Sequence, residues 1–480
     1  MHRSIALVLG IAAVLAIAGP TSAKARKPAA LPAPDPAVVA AALRDKALAD
    51  PAAYDFVAAL TTEVGQRLAG TSAAERAKDW ALARLTAMGF QNVHAEPFTI
   101  TAWQRGEESA EVLAPYPQKL QLIGLGRSPS TPPGGIEAEI ALFHSYADML
   151  AAPEGSLAGK IAVVTQPMTR AQDGSGYGVA STWRTRGAGE AAKRGAVAYL
   201  VRSISTAETR PPHAGAMSST SAVIPAAALG VPDAELLDRM VAEGKPVRLH
   251  LVLQSTSTPG APAWNVSGEV TGSEKPGEIV LIGGHLDSWD PGQGAIDDGA
   301  GDAITVGAAS LINKLARHPR RTIRVVLFGA EELDFSGKAY GDAHAAEVPR
   351  MVVTAESDNG ADPEWRLQLP ANSVSAPALK PLASLLAPLK IVILPQPATI
   401  AGADVAELEL AGAPAFSLRQ DASRYFDIHH SAEDTLDKID PNGLAQSVAA
   451  WSILVYLVAD SDIDFRALAA AAPPAAPGRP

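Results

Sequence analysis

Gly283-Gly284-His285-Leu286-Asp287-Ser288, followed closely by Asp297-Asp298-Gly299-Ala300-Gly301, is the stretch of sequence that decides the fold. It comes directly after residues 278–282, which are apolar from Ile279 onward and predict a buried strand, and before an amphipathic helical pattern over residues 303–315. The imidazole of His285 and the carboxylate of Asp297 are therefore placed where a strand passes into a loop and then a helix.

The same alternation of strand and helix continues along the chain. Residues 322–328, 351–354 and 413–418 are further apolar runs, typical of strands that are covered on both faces. Together they predict an α/β fold with a mixed, mostly parallel sheet sandwiched by helices.

Residues 113–260 have a different texture, in which short apolar runs are separated by loops rich in Gly, Pro and Ser. This predicts a separate strand-rich domain inserted into the larger one. The larger domain would comprise residues 26–112 and 261–466, and an Ala/Pro tail over residues 467–480 would be disordered.

Helix signals are weaker outside the α/β segment. Ser72-Ala73-Ala74-Glu75 has the form of a capping box for a helix that Gly89 would end. Two shorter helical patterns, over residues 187–194 and 233–243, interrupt the strand-rich segment.

The bulk composition limits the class of protein. A chain of 480 residues is too long for one ordinary hydrophobic core, so two or three domains are expected. The formal net charge of -11 argues against nucleic acid and anionic membranes as partners. Cysteine is absent, which excludes disulfides, thiolate nucleophiles and thiolate-bound metals. Catalysis would therefore depend on His, carboxylates or hydroxyls.

Residues 1–25 have the pattern of a secretory signal peptide. A short positive end precedes an apolar run over residues 5–18, and small residues around Ala23 offer cleavage sites. We expect a secreted or periplasmic protein with no stable membrane span after cleavage. A membrane anchor is the alternative, although the run is short and Gly19-Pro20 interrupts it.

Side chains of the kind that bind metals follow each predicted strand of the α/β segment. They are His285 and Asp287 after residues 278–282, Glu331 and Glu332 after 322–328, Asp358 after 351–354, and His430 after 413–418. The carboxyl ends of parallel strands share one edge of a sheet, so these side chains should meet there. One such residue alone is more often structural, but the whole set predicts a metal site.

Residue type allows roles to be assigned within this set. Two His and three carboxylates could hold two zinc ions if one carboxylate bridges them, namely His285, Asp297, Glu332, Asp358 and His430. Glu331 is then free to act as a general base. Asp287 and Asp434 suit the orientation of a ligand imidazole, and we count Asp287 with Glu331 as catalytic.

These segments resemble the co-catalytic di-zinc aminopeptidase and carboxypeptidase family. The matching pieces are Gly-Gly-His285-Leu-Asp287-Ser, Asp297-Asp-Gly-Ala-Gly, Ala-Glu331-Glu332, Glu-Ser-Asp358, His430-Ser-Ala-Glu-Asp434-Thr and, near the start, Gly65-Gln-Arg67-Leu-Ala-Gly70. The similarity covers nearly all of residues 37–465, and residues 113–260 look like the protease-associated domain of the family.

The resemblance also implies particular roles. Asp297 would bridge the two zinc ions, with His285 and Asp358 on one and Glu332 and His430 on the other. Glu331 would be the catalytic base, and the peptide bond between Asp297 and Asp298 would be cis. Relatives of this kind form dimers, so the resemblance implies a homodimer.

Two further residues, His429 and Asp404, are weaker candidates for contact with substrate. Many relatives place a Tyr near the final His, and here the neighbour of His430 is His429, with Tyr425 and Arg424 as alternatives. Asp404 matches a family loop that lies near the substrate.

The sequence therefore predicts an exported zinc exopeptidase, with two zinc ions, that hydrolyses dipeptides or short peptides with a free amino terminus. Within enzymes, the alternatives are an aminopeptidase on longer peptides and a carboxypeptidase. Outside them, the alternative is a non-catalytic, receptor-like binding protein on the same scaffold.

Overall fold

The computed structural model describes Met1 and residues 34–470. The predicted signal peptide, apart from Met1, and the last ten residues of the predicted tail lie outside the described residues. Everything below concerns the compact unit that begins at Pro36.

The described helices and strands follow the chain in a largely alternating order. The helices are α1 (Pro36–Ala47), α2 (Ala52–Glu63), α3 (Ser72–Ala87), α4 (Tyr146–Ala151), α5 (Ser175–Lys193), α6 (Val231–Ala242), α7 (Ala300–Asn313), α8 (Ser336–His344), α9 (Leu382–Leu386), α10 (Ala406–Leu410), α11 (Tyr425–Ile428), α12 (Pro441–Ala459) and α13 (Phe465–Ala470). The strands are β1 (Gln91–Ala114), β2 (Gln118–Leu120), β3 (Leu122–Gly124), β4 (Ile136–Phe143), β5 (Ile161–Val164), β6 (Ala198–Arg202), β7 (Ala226–Leu229), β8 (Arg248–Val270), β9 (Lys275–His285), β10 (Arg321–Phe328), β11 (Met351–Glu356), β12 (Glu364–Gln368), β13 (Val392–Ile393) and β14 (Ser417–Gln420).

A large mixed sheet organises these elements, which confirms the predicted α/β class. Its strand order is β11-β9-β10-β8-β4-β5-β6-β7-β3, with β1 paired to β8 and β2 paired to β1. β9 is parallel to β10 and β11, whereas β8 is antiparallel to β10, β4 and β1.

The long strand β8 joins two parts of this sheet. Its residues 266–270 pair with β10, and its residues 248–251 pair with β4. β1 runs antiparallel to it along almost its whole length, from Gln91 opposite Glu269 to Ala114 opposite Arg248. Residues 113–260 are therefore tied to the rest of the chain by a paired ribbon of strands.

The apolar core lies on both faces of the sheet. α7 packs against β9 and α12 on one side, and its residues from Ala300 to Ile312 are all buried because small and apolar side chains face every direction. A second group of buried apolar side chains covers β4, β5, β6 and β8 within residues 110–253. It gives the strand-rich segment a core of its own, and its assignment as an inserted protease-associated domain stays a prediction.

α12 is long and apolar enough to cross a membrane, judged by length and composition among the described residues. Most of its side chains are nevertheless buried inside the protein, and it packs against α1, α2 and α7. It is thus the central core helix of this unit.

Three sequence predictions need correction. The apolar run 413–418 is not a strand of the large sheet beyond a single bridge between Thr354 and Ala415, because its end forms β14 in a small sheet with β12 and β13. Residues 467–470, predicted to be disordered, belong to α13, where the buried Phe465 anchors the helix.

The third correction concerns the start of α3. Its cap is Thr71, whose hydroxyl accepts from the backbone N–H of Ala74 at 3.2 Å, and not Ser72. The threonine stands one residue earlier and has the extended backbone that a cap requires.

Candidate functional site

Parallel strands deliver the predicted site residues to one edge of the sheet. His285 is the last residue of β9, and it is in register with Phe328, the last residue of β10. Glu331 and Glu332 follow within four residues of that point, and Asp358 comes two residues after the end of β11. The ends of these strands therefore bring His285, Glu331, Glu332 and Asp358 to one edge, whereas His430 comes after β14, a strand of the small sheet.

Asp297 lies in the irregular turn Ala295–Gly299, just before α7. Its peptide bond to Asp298 is cis, as the resemblance implied. The carboxylate of Asp298 accepts from the backbone N–H groups of His285 and Gly301, each at 3.0 Å. This carboxylate therefore fixes the end of β9 to the start of α7, and with them the position of Asp297.

Asp297 is the residue that two groups of ligand atoms share. One group comprises Asp297 with His285 and Asp358, and the other comprises Asp297 with His429 and His430; within each group the atoms lie within 4.8 Å of one another. His285 Nε2 is 3.2 Å from Asp297 Oδ1, and His430 Nε2 is 3.2 Å from Asp297 Oδ2. The two imidazoles thus face opposite oxygens of one carboxylate.

Glu332 joins the second group through His430, whose Nε2 is 3.1 Å from Glu332 Oε2. His429, which the sequence left as a structural residue or a hydrogen-bond donor, is closer to the centre than expected. Its Nε2 is 3.5 Å from Asp297 Oδ2, and its ring stacks on that of His430 with centroids 3.5 Å apart.

Backbone carbonyls orient both imidazoles that are predicted to be ligands. His285 Nδ1 is 3.0 Å from the carbonyl oxygen of Asp287, and His430 Nδ1 is 3.3 Å from that of Ala214. When Nδ1 carries the proton, Nε2 presents its lone pair to the site. Ala214, from the strand-rich segment, was not predicted from the sequence.

The carboxylate of Asp434 does not orient an imidazole, contrary to the prediction. It accepts from the backbone N–H of Ile296 at 2.6 Å and from that of Asp297 at 3.2 Å. The turn before α7 leaves these two donors without helical partners, and Asp434 is the acceptor that reaches them. It acts on the backbone that carries Asp297.

Asp287 and Glu331 are linked directly. The Asp287 carboxylate accepts from the backbone N–H of Glu331 at 2.9 Å and lies 3.7 Å from His285 Nδ1. Glu331 Oε2 is 3.9 Å from His285 Nε2, and the Glu331 side chain is 20% exposed. Glu331 is thus held beside the two groups while part of it faces the cavity.

The two alternatives to His429 and the weaker candidate Asp404 have clear positions. The Tyr425 hydroxyl lies 2.9 Å from Asp297 Oδ1 and 3.2 Å from Asp358 Oδ1, and its single proton can be donated to either carboxylate. Arg424 is paired with Asp362. Asp404 is buried and accepts from the hydroxyl of Ser336 at 2.6 Å.

The charges of this site depend on burial and on close neighbours. Burial raises the pKa of Glu332 to about 7 although His430 opposes the rise. Burial alone would lower the pKa of His430, but Glu332 and Asp297 raise it to about 9. Burial also raises the pKa of Glu331 well above its usual value. Acidic groups this crowded are stabilised by protons or by a bound cation.

The side chains of this site offer more ligand atoms for a metal than hydrogen-bond donors for one another. Asp297 Oδ2 and Glu332 Oε1 are buried and accept no hydrogen bond of good geometry, although His430 Nε2 lies 3.2 Å from Asp297 Oδ2. Unpaired buried carboxylate oxygens are costly, whereas oxygen and imidazole nitrogen atoms of this set are ordinary ligands of divalent metals. The site is therefore a candidate metal centre.

A cavity of about 270 Å³ opens beside this centre. Asp297, Glu331, Glu332 and His430 line one wall, and Tyr177 and Arg184 of α5 line the other. Both α5 residues were missed in the sequence. The predicted helical pattern began only at residue 187, whereas α5 begins at Ser175.

Comparisons with known proteins match this geometry to one family. Residues 265–455 match the model of Peptidase family M28. Carboxypeptidase Q of Mus musculus is 38% identical over 412 residues, which cover 85% of this chain and 86% of that protein. Carboxypeptidase Q of Homo sapiens is 37% identical over 412 residues, with 85% of each covered.

A solved structure agrees with these relatives. The crystal structure of a Peptidase M28 precursor from Shewanella amazonensis SB2B is 43% identical, with a TM-score of 0.86, and the match covers 89% of this chain and 98% of that one. Fold, site and relatives together define a metallo-exopeptidase. The chain belongs to peptidase family M28.

Proposed function

We propose that this chain is an exported, di-zinc exopeptidase that hydrolyses dipeptides or short peptides with a free amino terminus. The observation that carries the proposal is the pair of ligand groups that share Asp297, with the carboxylate of Glu331 3.9 Å from His285 Nε2. Export rests on the pattern of residues 1–25, and a homodimer is proposed by resemblance alone.

Five residues would hold the metals: His285, Asp297, Glu332, Asp358 and His430. Asp297 would contribute one oxygen to each zinc ion, in keeping with the two imidazoles that face its opposite oxygens. His429 lies near enough to be a further ligand or a hydrogen-bond donor to substrate. Bound zinc supplies an acidified water and polarises the carbonyl that is cleaved.

The side chains around the metals divide the remaining work. Glu331 takes the proton of the attacking water and passes it to the leaving amine. Asp287 holds Glu331 through its backbone N–H, and the Tyr425 hydroxyl holds Asp297 and Asp358 in their relative positions. The carbonyl of Ala214 keeps Nε2 of His430 available as a ligand.

The strand-rich segment favours a small substrate. Its residues Tyr177, Arg184 and Met217 close one side of the cavity, whose volume of about 270 Å³ suits a dipeptide better than a long chain. We propose that this segment is a protease-associated domain that limits access. Hydrolysis of longer peptides is the alternative within the same chemistry.

The test compares one neutral dipeptide, free and N-acetylated, with zinc-loaded protein and with Glu331→Ala. We expect hydrolysis of the free dipeptide only, and a loss of about 100-fold or more in kcat in the variant, whose zinc content should be unchanged. Equal cleavage of the acetylated form would favour a carboxypeptidase, and no cleavage of either form would reject the dipeptidase proposal.

A further inference from the structure

Arg184 is a buried cation that the metal centre does not use. It lies on α5 with 7% of its surface exposed, and it lines the same cavity as Asp297, Glu331 and His430. Carboxylates are abundant around that cavity, yet among the described residues none lies within 4 Å of the Arg184 guanidinium as an ion-pair partner. A buried guanidinium normally has such a partner.

The donors of Arg184 are mostly free. Nη2 donates to the Tyr177 hydroxyl at 2.7 Å, and the guanidinium lies 5.3 Å from the centroid of the Tyr177 ring. Nε and Nη1 are buried, and no protein group accepts from them. The guanidinium is thus held in place by Tyr177 while donors remain for something else.

The backbone near Arg184 is shaped to leave it room. Gly215 has a φ of +124°, and a Cβ at this position would clash with the Arg184 guanidinium. The adjacent Ala214 is the residue whose carbonyl faces His430 Nδ1. One short segment therefore accommodates Arg184 and positions a predicted metal ligand.

Arg184 shares a cavity with the proposed general base. The cavity that contains Arg184 also contains Glu331, which would deliver the proton to the leaving amine. A second cavity of about 420 Å³ meets the same centre at Asp358 and His429, and neither Arg184 nor Glu331 lines it. Tyr177, Asp358 and His429 line both cavities, so what distinguishes the first cavity is that Arg184 shares it with Glu331.

We propose that Arg184 binds the free α-carboxylate of the leaving residue and so makes the enzyme selective for dipeptides. This inference rests on the proposed function and names the substrate group that the cavity recognises. In a dipeptide the carbon of the α-carboxylate is two bonds from the leaving nitrogen. A dipeptide that is cleaved beside Glu331 would therefore carry a carboxylate acceptor for the guanidinium close to the scissile bond. In a longer peptide that position holds an uncharged peptide bond.

The preference should be large because both partners are charged and the site is buried. Hydrogen bonds to charged groups contribute enough to change affinity about 10- to 100-fold when one partner is removed. A C-terminal amide of the same dipeptide removes the charge and keeps the scissile bond, so it is the matched substrate.

The experiment measures kcat/KM for the dipeptide and its C-terminal amide with the full chain loaded with zinc. The wild type should prefer the free carboxylate about 10- to 100-fold, and in Arg184→Gln this ratio should fall towards one while hydrolysis of the amide is kept. Arg184→Lys should retain part of the preference. Arg186→Gln, an exposed change on the same helix, should retain all of it.

A binding measurement separates this inference from the proposed function. Calorimetry with zinc-loaded Glu331→Ala should show tighter binding of the dipeptide than of the amide, and adding Arg184→Gln should abolish that difference. An unchanged difference would overturn the role of Arg184. So would an equal loss for both ligands in a variant with normal zinc content and melting temperature. If the protein hydrolyses neither substrate but binds the dipeptide with a preference that depends on Arg184, only the proposed peptidase function would be rejected.

Discussion

Arg67 is the residue on which the loop after β9 depends. It is fully buried and donates to the backbone carbonyls of Gly65, Leu286, Gln293 and Gly294. Its own backbone N–H donates to the hydroxyl of Ser288 at 3.2 Å. Three of these carbonyls come from the two ends of the segment between His285 and Asp297, so one side chain holds together the two ends that carry predicted ligands.

Replacing Arg67 with Met should therefore lower stability and weaken metal retention together. Four carbonyls would lose a charged donor, with an expected cost of about 3–5 kcal/mol in the free energy of unfolding. Chemical denaturation and zinc analysis measure the two effects. Arg67→Lys, which keeps the charge but few of the bonds, should fall between. Normal zinc retention in Arg67→Met would contradict this role for the loop.

The residues at strand ends could be predicted because two simple regularities combine there. His285, Glu332 and Asp358 each follow a continuous apolar run, and parallel strands end at one edge. Ala214 could not be predicted, since its contribution is a backbone carbonyl. Arg184 could not be predicted because glycines weaken the helical pattern at the start of α5, and the neighbouring sequence does not show that its donors lack hydrogen-bond acceptors.

At the scale of elements, the first turn of α7 is pressed against the end of β11. A Cβ on Gly301 would clash with the carbonyl oxygen of Ser357 and with the Asp298 carboxylate. Gly307, two turns further along the same helix, would place its Cβ 3.4 Å from Val448, an ordinary contact. Only the first of these glycines is required by packing.

The pair provides a matched test. Gly301→Ala should lower the melting temperature and the zinc content, because it pushes Asp297 and Asp358 apart. Gly307→Ala should be neutral or slightly stabilising, as Ala is favoured over Gly in helices by about 1 kcal/mol. Thermal melts and metal analysis of both variants decide the matter, and equal effects would show that the contact with Ser357 has no special weight.

β12 and α12 are joined by a buried acid. Glu364 accepts from the indole N–H of Trp451 at 2.9 Å, and its other oxygen has no partner. Burial raises the pKa of Glu364 to about 8. In the unfolded chain the pKa of this carboxyl would be about 4.3.

The sign of the effect on stability follows from this difference. The folded protein keeps a proton that the unfolded chain loses, so the stability is full below about pH 4.3 and is lost as the pH rises through about 8. Glu364→Gln cannot ionise and keeps the acceptor for Trp451. We expect the variant to match the wild type near pH 4 and to melt higher near pH 9, and parallel curves across that range would refute the buried titration.

Element boundaries in the α/β segment could be read from the sequence because each apolar run is bounded by polar or Gly residues. The predicted run 322–328 lies within β10, and 351–354 lies within β11. The prediction that residues 413–418 form a strand of the large sheet was wrong, because a buried apolar segment does not reveal which sheet it joins. The partner of β14 is β12, a strand that the sequence did not suggest.

For the whole molecule, bound metal should account for part of the stability of a chain that has no disulfides. A ligand present at about 100 times its Kd adds about 2.7 kcal/mol to the free energy of unfolding. We expect chelation to lower the melting temperature of the zinc-loaded protein and zinc to restore it. The drop should be smaller in Asp297→Asn, and an equal drop in both proteins would place the stabilising metal elsewhere.

The paired strands β1 and β8 have a consequence for how the enzyme meets its substrates. Domains that are joined by a flexible linker can move relative to each other. Here the two parts are connected by the antiparallel pairing of β1 with β8, which has irregularities near Ile100 and Arg105. Such paired strands restrict the movement of one part relative to the other. The opening of the cavity would then keep a constant width, and the width of a peptide would decide whether it reaches the candidate metal centre.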